Sequence, residues 1–208
     1  MGNIFDELYR KYDAWYDKNR FAYLSELEAV KKVLPEKGYG LEIGVGSGRF
    51  AAPLSIAVGI DPSKKMVELA RGRGVDAALG VGEELSFKDS TFDYVAIIVT
   101  LCFVQEPEKV ITESARVLKP GGKIIIGIVD KESFLGKSYQ EKGSIFYGHA
   151  QFFEIEEVEQ MLKVAGFSGF SYYQTLFDYP EKIKSIEKPL EGYGKGGFVV
   201  INAVKKEK

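Results

Sequence analysis

Leu41-Glu42-Ile43-Gly44-Val45-Gly46-Ser47-Gly48 is a short apolar run that passes into three glycines at alternate positions. Such a run reads as a buried strand, and the glycines as a tight turn that opens a helix. Glycine lets the backbone approach a ligand to contact distance and take angles closed to other residues. The helix start presents unpaired N–H groups and the positive end of a dipole, which suits a carboxylate or phosphate. The stretch therefore predicts a nucleotide-type site, against the alternative of a plain strand-to-helix turn. The dinucleotide fingerprint needs its third glycine one place later, where this chain has Arg49, so the pattern is E-x-G-x-G-x-G instead.

What lies downstream supports a ligand. The run 56–60 reads as the next buried strand and ends at Asp61, with Pro53 limiting the intervening helix to a few residues. An acid about 20 residues past a glycine loop, at the tip of a second strand, is placed to accept two ribose hydroxyls with its two oxygens. The alternative is a helix-capping pair of Asp61 with Ser63, since Ser63 opens the pattern Met66, Val67, Leu69, Ala70. Further strands are predicted over 75–79, 92–99 and 123–129, with a helix from Pro107 to Leu118 between the last two. Strands alternating with helices predict an α/β fold with a parallel sheet and a ligand at the strands' carboxyl ends.

Upstream, Phe5, Leu8, Tyr9, Tyr12, Trp15 and Tyr16 recur at helical spacing over 4–17, and a second helix is predicted over 21–34 with Leu24, Leu27, Val30 and Leu34 inward. The first reads as a helix docking an aromatic face, or as one whose Tyr12, Trp15 or Tyr16 closes over a ligand. Periodicity is lost between 130 and 151, a stretch that holds Phe134, Tyr139, Phe146, Tyr147 and the only histidine, His149; such a segment reads as a lid or insertion. A helix over 155–165 and two strands over 169–177 and 197–204 complete the chain.

Composition narrows the classes. A length of 208 residues fits one domain, and 45% hydrophobic and 28% charged residues are ordinary for a globular protein. A net charge of −2 without a basic block argues against a nucleic-acid surface. The single Cys102 excludes an internal disulfide, and one cysteine with one histidine excludes a Cys/His zinc site. No apolar run is long enough to span a bilayer, and the charged, aromatic start is unlike a signal peptide, so a cytoplasmic protein is expected. The Glu- and Lys-rich, Asn- and Gln-poor surface is a thermophilic bias.

In order and spacing these motifs resemble the class I S-adenosylmethionine (SAM)-dependent methyltransferase superfamily, in particular its small-molecule branch of ubiquinone/menaquinone-type, methyltransferase type 11-like enzymes. The resemblance runs through 41–48, Gly59-Ile60-Asp61-Pro62-Ser63, Gly82-Glu83-Glu84-Leu85-Ser86-Phe87, Phe92-Asp93-Tyr94-Val95, Arg116-Val117-Leu118-Lys119-Pro120-Gly121-Gly122, 152–167 and 197–200, about three-quarters of the chain. It implies a Rossmann-like three-layer α/β/α sandwich whose seven-stranded, mostly parallel sheet has an antiparallel last strand. It implies one methyltransferase domain over 1–208: a helical cap (1–36), a SAM-binding core (37–130), a lid or insertion (131–151), and a C-terminal helix with the last strands (152–208). SAM is the implied cofactor, S-adenosylhomocysteine its product, and no metal is expected. Carried over, Glu42, Gly44, Val45, Gly46 and Gly48 face the methionine part and Asp61 with Pro62 the ribose. Met66 lies near the adenine, the Gly82-Glu83 backbone meets the adenine edge, and the backbone at Ile98 lies near the methionine amine.

Three features depart from the family pattern. Val81 stands where relatives often carry an adenine-contacting Asp, the link from loop to ribose acid is short, and Cys102-Phe103 replaces a common His-His pair. The implied reaction is in-line methyl transfer to a small-molecule acceptor, with no nucleic-acid partner. Tyr12, Trp15, Tyr16, Cys102, Phe103 and Tyr147 are the candidate acceptor and lid residues, with Cys102 read as an apolar core residue. His149 is the candidate general base, as the one side chain suited to that task at neutral pH. A non-catalytic SAM-sensing module and an NAD-dependent oxidoreductase are the competing readings, the latter opposed by the glycine spacing.

Overall fold

Among residues 4–143 and 146–207, which the computed structural model describes, strands and helices alternate as the patterning predicts. From the N-terminus they are α1 (Ile4–Glu7), α2 (Tyr9–Lys18), α3 (Arg20–Lys31), β1 (Gly40–Ile43), α4 (Ala51–Leu54), β2 (Val58–Asp61), α5 (Lys64–Gly72) and β3 (Asp76–Leu79). Then follow β4 (Phe92–Ile98), α6 (Pro107–Val117), β5 (Leu118–Val129), α7 (Phe134–Lys142), α8 (Ile155–Val164), β6 (Phe167–Thr175), β7 (Leu190–Glu191) and β8 (Phe198–Lys205).

One sheet runs in the order β3-β2-β1-β4-β5-β8-β6-β7, parallel from β3 through β5 and antiparallel where β8 meets β5 and β6. Central strands are buried on both faces, and the two-residue period divides them. Tyr94, Ala96 and Ile98 of β4 pack with α2, α3, α4 and α5, while Val95 and Ile97 pack with α6 and α8. Burying one such aliphatic side chain is worth roughly 1.5–3 kcal/mol, so a one-residue slip, which inverts every face, is strongly disfavoured. The result is the three-layer sandwich.

Three local features differ from the sequence reading. The expected seven strands become eight, because Leu190–Glu191 pairs with Tyr173 and Gln174 at the edge of β6; two residues are too few to leave a pattern. The helix expected over 4–17 breaks at Leu8 into α1 and α2. The aperiodic stretch after β5 contains α7, whose start is capped by the Ser133 hydroxyl accepting from the Gly136 N–H at 3.0 Å and whose end is Gly143 at φ 52°. The cap and stop were legible, but the half-buried aromatic face carried no clear period.

Helix α3 also turns a different face inward. Ala22, Ser25, Glu26, Ala29 and Val30 are buried with Leu27, whereas Leu24 and Leu34 are only half-buried. Ser25 satisfies itself on this face, donating to the Phe21 carbonyl at 2.7 Å and accepting from the Glu187 N–H at 2.8 Å. No described helix is long and apolar enough to cross a membrane.

Candidate functional site

Strand order reverses between β1 and β4, and a cavity of about 570 Å³ opens there, at the carboxyl ends of β1, β2 and β4. Its floor is Ile43, Gly44 and Gly46 with Asp61, Pro62 and Met66; one wall is Gly80, Val81, Gly82 and Glu83, the other Val99, Thr100 and Phe103. Ile4, Phe5, Tyr12 and Phe146 cover it. The cover is a ring cluster: Phe5 lies edge-on to Tyr12 and Phe103 and stacks with Phe146, with centroids 5.2–5.9 Å apart.

The three loop glycines do different work. Gly46, at φ 52°, has nothing within 4 Å of where a Cβ would stand, so its backbone borders open space. Gly44 is required by the fold, since a Cβ there would meet the Thr100 side chain at 2.2 Å. Gly48 does not line the cavity; a Cβ there would meet the Ala70 Cα of α5 at 3.1 Å, so its role is close helix packing. Val45 is likewise behind the site, packed on Gly59.

Asp61 is 8% exposed and lines the cavity. Its two oxygens accept from the Gly46 N–H at 2.9 Å and the Ser63 N–H at 2.8 Å. Each oxygen has a further lone pair, so the backbone fixes the carboxylate without exhausting it as an acceptor. Burial raises its pKa to about 6, with the Ser63 and Gly46 N–H groups pulling the other way. The capping alternative is also realised, but by Ser63, whose hydroxyl accepts from the Met66 N–H at 3.2 Å.

Glu42 is 1% exposed and sits behind the cavity, its Oε2 buried with no hydrogen-bond partner among the described residues. Burial holds its carboxyl well above the usual range; the Ala51 N–H opposes this and the Asp61 charge adds to it. Ile98 is buried, and Val99 and Thr100 line the cavity in its place. Val99 has φ 51°, an unusual angle for a β-branched residue, held by its N–H donating to the Gly127 carbonyl at 2.8 Å. Glu83 accepts from the Gln105 N–H at 3.0 Å, so one of its oxygens serves the turn before α6.

A second cavity of about 550 Å³ adjoins the first and shares Tyr12, Val99 and Phe146 with it. Tyr12, Trp15, Tyr16 and Tyr147, named from sequence, meet here with Tyr139 of the expected lid stretch, joined by Leu135, Leu176 and Glu26, which sequence reasoning missed. Phe103 belongs to the first cavity instead. Cys102 lies beneath, half-buried against a void of about 10 Å³, and burial pushes its thiol up to about 12, away from the thiolate form that a nucleophile needs. The side chain of His149 lies outside the described residues; its backbone closes the turn Tyr147–His149.

Helix α2 is clamped over the glycine loop. The Asp13 carboxylate accepts from the Ser47 hydroxyl at 2.6 Å, from Arg49 at 2.8 and 2.9 Å and from Arg73 at 2.8 Å. Asp6 accepts from the Ser63 hydroxyl at 2.6 Å and the Lys65 N–H at 3.1 Å, tying the start of α5 to α1.

The model of a methyltransferase domain family matches residues 41–126. A crystal structure of a SAM-dependent methyltransferase from Thermotoga maritima, described as a possible histamine N-methyltransferase, superposes with a TM-score of 0.96 at 49% identity, covering 99% of this chain and 100% of that one. The chain belongs to the SAM-dependent methyltransferases. An uncharacterised protein of Methanocaldococcus jannaschii is 50% identical over 98% of this chain and 99% of its own length. A phosphatidylethanolamine N-methyltransferase of Cereibacter sphaeroides is 36% identical over 58% of this chain and 67% of its own.

As a methyltransferase the chain uses SAM, and the first cavity fits that molecule. Open space at Gly46 and a fixed acceptor in Asp61 for neighbouring hydroxyls are features that a ligand with a ribose would satisfy.

Proposed function

We propose that this methyltransferase acts on a small-molecule acceptor held in the second cavity, with its nucleophile presented to the first cavity across the boundary of Tyr12, Val99 and Phe146. The observation that carries the reading is that two cavities of about 570 and 550 Å³, each of small-molecule size, share one aromatic wall.

In the first cavity Asp61 takes the ribose hydroxyls, Gly44 and Gly46 give the methionine part close backbone approach, and Met66 and the Gly82 and Glu83 backbone hold the adenine. When bound, SAM supplies an electrophilic sulfonium methyl group. The chain's residues align the acceptor and exclude water, and alignment alone is worth roughly 7 to 11 kcal/mol of a barrier. The Tyr12 ring faces a cation favourably, and its hydroxyl is kept neutral because burial raises its pKa. The N-terminal aromatic segment and the described residues of the 130–151 stretch act together as the cover. His149, two residues after the cavity-lining Tyr147 in the same short turn, is the residue assigned to take the proton that an acceptor hydroxyl or ammonium must lose.

The test is a screen of small amines, phenols and quinols for S-adenosylhomocysteine formation. His149→Ala should lower turnover while SAM affinity, measured calorimetrically, is unchanged; wild-type turnover would remove the base assignment. A folded, SAM-binding protein that methylates a protein or nucleic acid and none of these compounds would overturn the small-molecule reading.

A further inference from the structure

We propose, resting on the reading of the second cavity as the acceptor site, that this cavity selects a basic amine whose ammonium pairs with the carboxylate of Glu26 inside a wall of aromatic rings. Glu26 is 4% exposed and lines the cavity from α3, yet its carboxyl forms no hydrogen bond or ion pair among the described residues. Lys11 and Lys18 also border the cavity, but both are exposed and neither pairs with it.

A buried acid without a partner is costly to a fold, and an apolar residue of similar size would serve packing better. With only its own surroundings, burial pushes the Glu26 carboxyl up to about 8. It therefore holds a proton at neutral pH that an arriving cation would displace.

The walls match the same ligand. Trp15, Tyr16, Tyr139 and Tyr147 line the cavity, and Tyr139 stacks on Tyr147 with centroids 4.6 Å apart. Aromatic faces carry negative potential and attract organic cations. Tyr12, Tyr16, Tyr139 and Tyr147 line the same cavity as Glu26, whose charge adds to burial in raising all four hydroxyls. An acceptor bearing a carboxylate or phosphate leaves Glu26 protonated and gains no ion pair from it, and a neutral phenol or alcohol gains only a hydrogen bond to the protonated carboxyl.

The chain's single tryptophan, Trp15, is itself a wall of this cavity, so its fluorescence reports occupancy without turnover. The probes are phenethylamine and its neutral isostere 2-phenylethanol. Wild-type protein should respond to the amine at a concentration at least about tenfold lower than to the alcohol, and Glu26→Gln should bring the two within about twofold. Calorimetry of phenethylamine binding near pH 7, in buffers of different ionisation enthalpy, should show proton release, which needs no variant. Equal responses of wild type to both probes, selectivity retained in Glu26→Gln, or binding without proton release would each overturn the proposal. SAM titration separates the two readings: a protein that binds SAM and forms product but is blind to the amine charge refutes this inference alone. Amine selectivity in a protein that transfers no methyl to any amine refutes the acceptor reading instead.

Discussion

Replacing Asp13 by Asn tests whether the N-terminal cap is held to the glycine loop by charge. The Asp13 side chain is 17% exposed and faces Arg49 at 16% and Arg73 at 29%. Burial by itself would raise its pKa, but hydrogen bonds from Arg49, Ser47 and Arg73 outweigh that and bring it from 3.8 to about 2. A depression of that size corresponds to roughly 2 kcal/mol of stability. Breaking a fully buried pair costs about 3–5 kcal/mol, and the cost here is lower because Arg49 keeps both bonds to Asp17, each 2.8 Å. Urea denaturation near neutral pH should therefore show Asp13→Asn less stable by about 2 kcal/mol, a fall in melting temperature of about 4–8 °C for a chain of this length. Because the folded pKa lies below the unfolded one, the wild-type advantage is complete above 3.8 and is lost as pH falls through about 2. The variant should also bind SAM more weakly, since without the charge facing Arg49 and Arg73 α2 is held less firmly over the glycine loop. A stability difference under about 0.5 kcal/mol, or one unchanged at the acid end, would falsify the electrostatic clamp.

Two further outcomes follow from the cofactor cavity. Gly46→Ala should cost the fold only about 1–2 kcal/mol for its positive φ, yet reduce SAM binding far more, because the added methyl stands in open space at the cavity floor; calorimetry beside thermal melting separates the two effects. Asp61→Ala should weaken SAM binding by roughly 10- to 150-fold, the loss of about 1.5–3 kcal/mol of charge-assisted bonding, in a protein whose circular dichroism is unchanged. Wild-type affinity should itself decline as pH falls through about 6, where the Asp61 carboxylate takes up its proton; a flat profile would show that the hydroxyls are held elsewhere.

Sequence alone determined what depends on neighbours along the chain. The strand-loop-helix at 41–54, the acid ending β2, the Pro107 helix start and the alternation of strands and helices all follow from period, turn chemistry and caps within about 20 residues. Contacts between distant segments decided the rest. That Gly46 borders the open cavity while Gly48 packs on α5 is set by what lies above each, and both look alike in the motif. Asp13 reads as one more charge on an amphipathic helix until folding brings Arg49 and Arg73 to it. Glu26, flanked by Ser25 and Leu27 in α3, reads as a solvent-facing residue. It is buried because α3 turns its small-residue face onto the sheet, while α2, α7 and the turn at Tyr147 close an aromatic chamber around it. No local pattern encodes such a chamber, since its walls come from segments more than a hundred residues apart, and only their packing together gives the carboxyl its low-dielectric surroundings.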